Sequence, residues 1–137
     1  MSDETNTNTT TTGELGIIEV TSDKLKNIDN FLSGTPDAPN NDLESIDCDF
    51  NYVESAQYAF AYCPNLKTVK GKYPKLTNAS GMFKASGMES FSTDNVQMGE
   101  VTNASHMLAN SPSLKTVKLY LPKATNVTEI IGGNSDK

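Results

Sequence analysis

Histidine and cysteine are the residue types in this sequence that could supply a general base, a nucleophile or a metal ligand. The 137-residue chain contains one histidine, His106, and two cysteines, Cys48 and Cys63. A catalytic cysteine needs a nearby base to form its thiolate, and a metal site needs several ligands together. We therefore expect His106 at the surface and both cysteines packed as small apolar side chains. The sequence predicts no catalytic, metal-binding or cofactor-binding residue, and no enzyme activity.

The charge of the chain restricts its partners. The formal net charge is −6, and all 11 basic residues are lysine. Arginine is the usual bidentate ligand of phosphates and guanines, so its absence from an acidic chain argues against nucleic-acid binding. No apolar run is long enough for a transmembrane helix. The first residues, MSDETNTNTTTTGELG, lack the basic and apolar regions of a secretory signal, so we expect the protein to stay in a cytoplasm or leave inside an assembled particle.

The elements that would position any site form a repeat. Four strand-like cores have large apolar residues at their first and fourth places and occupy residues 43–48, 66–71, 88–93 and 114–119. A second block follows each core: SAQYAF (55–60), NASGMF (78–83), NASHML (103–108) and NVTEII (126–131). Apolar residues in these blocks recur at spacings of three and four, which is typical of one face of a short helix. The Asn or Ser that opens each block is a good helix N-cap.

A unit of one strand and one helical turn cannot bury its apolar edge alone, but stacked copies can. The sequence therefore predicts a short α/β solenoid with a parallel sheet and about four strand–helical-turn units. We predict a flexible Thr/Asn-rich arm over 1–13, an N-terminal cap and linker over 14–42, the solenoid over 43–131 and a C-terminal tail over 132–137. Within the cap, GIIEV (16–20) predicts a strand and SDKLKNIDNFLSG (22–34) predicts a short helix.

The repeat resembles a known family. NASGMFKASGMESF and NASHMLANSPSLKTV are similar to the BspA-like leucine-rich repeats of bacterial and phage surface proteins, which read roughly N-(V/A)-(T/S)-x-M-F-x-x-C-x-x-L-x-x-(L/V). SAQYAFAYCPNLKTV keeps the family cysteine at Cys63, where two other copies have Ser86 and Ser111. The resemblance covers about residues 43–131. It implies a leucine-rich-repeat fold and recognition of a protein or a surface, without catalytic residues.

Stacking of the repeats would align charged residues in columns. One column reads Glu44, Lys67, Glu89 and Lys115; another reads Asp47, Lys70, Ser92 and Lys118. Such columns either fix strand register and solubility or form a recognition face, because solenoids bind partners on extended strand surfaces. Both interpretations stay open at this point, and these eight residues are a candidate binding face.

The last strand core provides a second candidate surface. No sequence resembling a cap follows it, and the apolar residues Leu119, Tyr120 and Leu121 lie beside it. An unprotected apolar sheet edge attracts another chain, so these three residues are a candidate open-edge interface. The alternative is that Lys115, Lys118 and Pro122 are sufficient to protect the edge.

These features favour a non-enzymatic structural or display protein with a leucine-rich-repeat recognition surface. Our first expectation is a bacteriophage virion component, such as a head fibre, decoration or tail-associated protein involved in adhesion. Its N-terminal arm would attach to a capsid or tail protein, and its repeats would contact a host-surface or mucosal ligand. A bacterial surface adhesin, or a fragment of one, and an intracellular protein-binding regulator are the alternatives. A homo-oligomer is also compatible with the sequence; nucleic acid and membrane insertion are not expected.

Overall fold

The structure is a computed structural model that describes residues 17–18 and 25–133. Its described residues form short parallel strands and tight turns, with no helix. The strands are β1 (Ile17–Ile18), β2 (Ser45–Asp47), β3 (Thr68–Lys72), β4 (Ser90–Ser92), β5 (Val96–Gln97) and β6 (Thr116–Lys118). One sheet has the order β1-β2-β3-β5, and a second sheet pairs β4 with β6. The predicted parallel pairing of strands is confirmed.

The strand cores align as their apolar pattern predicts. Ile46 of β2 pairs with Val69 of β3, and Phe91 of β4 pairs with Val117 of β6. Ile46, Val69 and Phe91 are buried, whereas the residues on either side of them are exposed or half-buried. This alternation places one side of each strand in the core and leaves the other side in solvent.

The second blocks are joined by a ladder of single parallel bridges. The bridge residues are Asn27, Ser55, Asn78, Asn103 and Asn126, each paired with the next one along the chain. After each of the first four bridge residues, every second backbone N–H donates to a carbonyl of the following block; for example, the Gly81 N–H donates to the Ser105 carbonyl at 2.8 Å. These hydrogen bonds join one block to the next, whereas helical bonds would join residues within one block.

The helical turns predicted for these blocks are therefore wrong. The fourth residue of each block has a positive φ, and these residues are Asn30, Tyr58, Gly81, His106 and Glu129. A left-handed residue cannot continue a right-handed helix. Each block instead closes a tight turn, as where the Met82 N–H donates to the Ala79 carbonyl at 3.1 Å. The apolar spacing of three and four is compatible with both structures.

The N-terminal region also lacks the helix that was predicted for the cap, within its described residues. Residues 22–24 of the predicted helix lie outside the described residues, and residues 25–34 contain no helix. Asn27 instead pairs with Ser55, so NIDNFL (27–32) is a fifth block of the ladder. Of the predicted strand at 16–20, Ile17–Ile18 forms β1, and the rest lies outside the described residues. The predicted arm (1–13) and most of the predicted tail (132–137) also lie outside them.

Aromatic side chains from successive repeats fill the interior. The Phe60 and Phe83 rings stack with their centroids 5.7 Å apart, and Phe50 stacks on Tyr73 at 5.1 Å. Phe31, from the first block, meets the edge of the Phe60 ring at 6.3 Å. All except the half-buried Phe31 are buried, so the repeats share one continuous core.

The sheet is divided because the third strand-containing repeat is longer than its neighbours. Residues 93–95 form a turn after β4, in which the Asn95 N–H donates to the Ser92 carbonyl at 3.1 Å. β5 then pairs with the end of β3 through Gly71 and Lys72, whereas β4 pairs with β6. A crevice of about 180 Å³ lies between the first part of β3 and β4.

Candidate functional site

The two cysteines and the histidine differ in burial and in the groups that surround them. Cys63 is fully buried, and its Sγ lies 3.6 Å from the Leu32 and Ala61 carbonyl oxygens. Burial raises the pKa of the Cys63 thiol to about 12, so the thiol is protonated at neutral pH. Cys48 is half-buried. His106 is partly exposed, with Nε2 3.9 Å from Glu129 Oε1.

The acidic, cysteine and histidine side chains do not gather into a metal site in the described part of the chain. A protonated, buried thiol is a poor nucleophile and a poor metal ligand, because the thiolate is the reactive form. The geometry of Cys63 therefore suits packing, and His106 has a surface carboxylate rather than a cysteine beside it.

The eight residues of the predicted binding face lie on the solvent side of the strands, but they do not form one continuous ladder. Asp47 aligns with Lys70, and Ser92 aligns with Lys118. Because β3 does not pair with β4, the face is divided into two groups of four: Glu44, Asp47, Lys67 and Lys70, then Glu89, Ser92, Lys115 and Lys118.

Two lysines of this face have partners other than the expected column neighbours. Lys118 forms an ion pair with Asp94 at 2.8 Å, and the Lys67 ammonium donates to the Gly87 carbonyl at 3.2 Å. The Lys118 ammonium holds the pKa of the Asp94 carboxyl below its usual range through a hydrogen bond and its charge. Among the described residues, no ion pair joins two of the eight predicted residues. An exposed pair such as Lys118–Asp94 contributes little to stability.

The three residues of the predicted open edge have different environments. Leu119 and Leu121 are half-buried against the core, whereas Tyr120 is 72% exposed. The Tyr120 N–H donates to Thr93 Oγ1 at 2.9 Å, which holds the tyrosine backbone beside the turn that follows β4. Tyr120 is therefore the member of this set that is available to a partner.

Tyr120 also lines a groove of about 530 Å³. Gln97, Met98 and Gly99 line it from the segment around β5, and Lys118 lines it beside Tyr120. β5 has a strand partner, β3, on one side only. The groove thus combines an apolar tyrosine ring, a methionine and the end of a strand whose second edge has no strand beside it.

The last block (126–133) exposes side chains that are buried in the blocks before it. Val127 and Ile131 are 50% and 47% exposed, whereas the equivalent residues Ala104 and Leu108 are fully buried. A further block would cover these positions, as 126–133 covers the block before it. The apolar pattern did not single out either residue as exposed, because it predicted a helical turn over 126–131 with both side chains on its apolar face.

The backbone of the last block also has groups that a further block would cover. The N–H groups of Val127, Glu129, Ile131 and Gly133 donate to no carbonyl of the described residues, whereas the equivalent N–H groups of the preceding block all do. We call the exposed end of the last repeat the terminal edge: these four N–H groups, the exposed side chains of Val127 and Ile131 in the same block, and Tyr120, which is exposed beside the last strand. It combines apolar side chains with N–H groups that have no acceptor among the described residues, which is the arrangement that an added strand requires.

A second groove, of about 390 Å³, lies at the other end of the ladder. Tyr58, Tyr62, Asn30 and Pro36 line it, and the Lys84 ammonium lies 6.0 and 5.8 Å from the centroids of the Tyr58 and Tyr62 rings. Both tyrosines have positive φ angles, of 56° and 57°, which are unusual for bulky residues. No pattern in the sequence predicted this groove, because the equivalent positions in the other repeats carry different residue types.

In the described part of the chain, no helix is long and apolar enough to cross a membrane. Comparisons of the chain with models of protein families, with curated proteins and with solved structures found no match.

Proposed function

We propose that the chain is a short solenoid of the BspA-like leucine-rich-repeat type and that it works as a non-enzymatic recognition module. The ladder of bridge residues supports the solenoid, because Asn27, Ser55, Asn78, Asn103 and Asn126 recur at intervals of 28, 23, 25 and 23 residues. Neighbouring repeats are joined by parallel backbone hydrogen bonds, and one core runs through all of them. Contact of each repeat with its sequence neighbours is the general property of solenoids.

The contact surface in this proposal is the terminal edge. The single observation that carries the proposal is that the last block holds exposed apolar side chains, Val127 and Ile131, beside backbone N–H groups that have no acceptor among the described residues. Unpaired N–H groups at a sheet edge form hydrogen bonds with an added strand, and neighbouring apolar side chains supply the buried area and the specificity. The charged strand face lacks exposed apolar side chains, since its eight residues are charged or polar.

The setting that we propose is a virion, with the chain displayed as a head fibre, decoration or tail-associated protein. Two sequence features favour this setting: the polar Thr/Asn-rich stretch before the repeats, and the resemblance to repeats of phage and bacterial surface proteins. The acidic, arginine-free composition is consistent with a protein or carbohydrate partner and not with nucleic acid.

Site-specific photo-crosslinking tests this function. Benzoylphenylalanine replaces Tyr120 at the terminal edge or, as a matched control, the exposed Tyr52. After irradiation of particles or cells that contain the protein, we expect an adduct with a structural protein from position 120 and none from position 52. A third variant carries the probe at position 67, on the strand face.

Adducts from position 67 but not from position 120 would overturn the terminal edge as the contact surface. Absence of adducts from all three positions, or absence of the protein from purified particles, would overturn the proposed display function. An adduct with a cell-envelope protein, in cells that make no particles, would favour an adhesin in place of a virion protein.

A further inference from the structure

The hydrogen bonds between successive blocks have a direction. From the second residue of a block onward, the N–H groups of one block donate to carbonyls of the next block along the chain. In the block 78–85, for example, the Ala79 N–H donates to the Asn103 carbonyl at 2.8 Å and the Phe83 N–H donates to the Met107 carbonyl at 2.9 Å. The same direction recurs at each of the four junctions between blocks.

This direction makes the two ends of the ladder different. The last block has four N–H groups that donate to no described residue, those of Val127, Glu129, Ile131 and Gly133. The first block has four carbonyls that accept from no described residue, those of Asn27, Asp29, Phe31 and Ser33. The four donors and the four acceptors occupy alternate positions of equivalent blocks, so they match one another in number and in spacing.

The side chains of the two ends match in part. In the alignment that continues the ladder, Ile130 meets Phe31 and Ile131 meets Leu32, which are both half-buried, whereas Val127 meets Ile28, which is already buried within its own chain. Asn126 meets Asn27, which repeats the Asn–Asn bridges between Asn78, Asn103 and Asn126. The acidic residues do not oppose each other, because Glu129 meets Asn30 and Thr128 meets Asp29.

We propose that the partner of the terminal edge is a second copy of this chain, docked through its first block (27–34) in a head-to-tail arrangement. The inference rests on the proposed function, since it names the partner of the same surface. The strands are consistent with it, because among the described strands β6 has β4 as its one neighbour and β1 has β2. Each docked copy leaves its own terminal edge available, so the contact does not close and further copies add to it.

The side chains at both ends can be altered without disturbing the core. Asn30 and Glu129 are exposed and occupy equivalent left-handed positions, so Asn30→Glu places there a residue that the ladder already accommodates at 129. Asn30→Glu would put two carboxylates opposite each other at the junction. Glu129→Lys combined with Asn30→Glu would restore an attractive pair. Ile131→Lys removes apolar area from the terminal edge.

Sedimentation velocity of the full chain over a range of concentrations tests the inference. We expect the wild-type protein to form species larger than the monomer. Ile131→Lys should weaken this association by roughly tenfold or more, through the lost apolar burial. Asn30→Glu should weaken it by roughly twofold to fivefold, as for exposed like charges, and the double variant should recover the loss. Circular dichroism spectra and unfolding midpoints show whether each variant is folded.

Three results would overturn the head-to-tail contact. The first is a wild-type chain that stays monomeric; crosslinking of position 120 to another protein would then leave the proposed function standing. The second is association that neither Ile131→Lys nor Asn30→Glu changes. The third is association that is lost on deletion of residues 1–13 but kept in Asn30→Glu, which would identify the N-terminal arm as the occupant.

Discussion

At the residue scale, one backbone conformation recurs through the ladder with different side chains. The fourth residue of each block is left-handed, and glycine occupies this position once, at Gly81. Its φ is +62°, and a Cβ atom there would lie 2.5 Å from the Tyr58 ring of the preceding block. Gly81 therefore has two roles: it adopts the turn conformation without strain, and it leaves space for the aromatic ring above it.

Gly81→Ala should destabilise the protein for both reasons. The left-handed backbone costs a residue with Cβ about 1 kcal/mol, and displacement of the Tyr58 ring adds to this cost. We expect a loss of roughly 1–3 kcal/mol in the free energy of unfolding, measured by urea denaturation. Gly99→Ala is the matched control: no atom lies within 4 Å of its added Cβ, and its φ is not positive. Equal stabilities of the two variants would contradict this account of Gly81.

At the element scale, the blocks are organised by an Asn side chain at the bridge position. Asn78, Asn103 and Asn126 each accept, through Oδ1, the backbone N–H of the second residue after them, at 3.0–3.1 Å. These are Asx turns, so the asparagines stabilise turns in place of the helix N-termini that the sequence predicted.

The block that opens with Ser55 lacks this asparagine, and a residue of the preceding block supplies the side-chain acceptor for its turn. Asp29, from the preceding block, accepts the Ser55 hydroxyl at 2.6 Å and the Gln57 N–H at 2.8 Å through the same Oδ1 atom. The acceptor that the turn requires is therefore present even where the bridge residue is too short to supply it.

Asn103→Ala removes this acceptor from an inner block. The Ser105 N–H would lose its partner in a region where Ser105 is buried, so we expect a loss of about 0.5–2 kcal/mol of unfolding free energy. Asn103→Asp keeps the Oδ1 acceptor and should retain most of the stability. Thermal and urea unfolding of both variants measure the difference. An alanine variant as stable as the aspartate variant would show that the Asx turn contributes nothing.

At the scale of the whole molecule, the repeats are held together by a shared aromatic core. Phe60 is fully buried, and its ring lies 5.7 Å from Phe83, 6.3 Å from Phe50 and 6.3 Å from Phe31. It therefore contacts the rings of the blocks before and after its own. Stability in such an arrangement depends on contacts between neighbouring repeats, because no single repeat has a core of its own.

Phe60→Ala should remove a large part of the stability. Truncation of a buried phenylalanine typically costs about 3–5 kcal/mol, a large fraction of the roughly 5–15 kcal/mol of a small domain. Phe60→Leu should cost less, about 1–2 kcal/mol, since leucine occupies the equivalent positions 32 and 108. Urea titrations give both values. Similar losses for the two substitutions would mean that ring contacts are not what joins the repeats.

Only part of the terminal edge could be predicted from the sequence. Tyr120 was predicted from the apolar residues beside the last strand core, and it is exposed. The exposure of Val127 and Ile131 was not predicted, because their block was expected to form an amphipathic helix with these side chains on its apolar face. The error in secondary structure thus concealed the larger part of the surface.

The amino-acid sequence is sufficient to identify the repeat, the parallel strands and the buried strand centres such as Ile46 and Val69, because apolar spacing reports directly on burial. It is not sufficient to distinguish a helix from a tight turn in a six-residue block, because both place apolar residues at spacings of three and four. Tertiary contacts settle that choice: the Gly81 N–H finds its acceptor at Ser105, in the next block. The pairing of β5 with β3 has the same origin, since hydrogen bonds between distant residues leave no local pattern in the sequence.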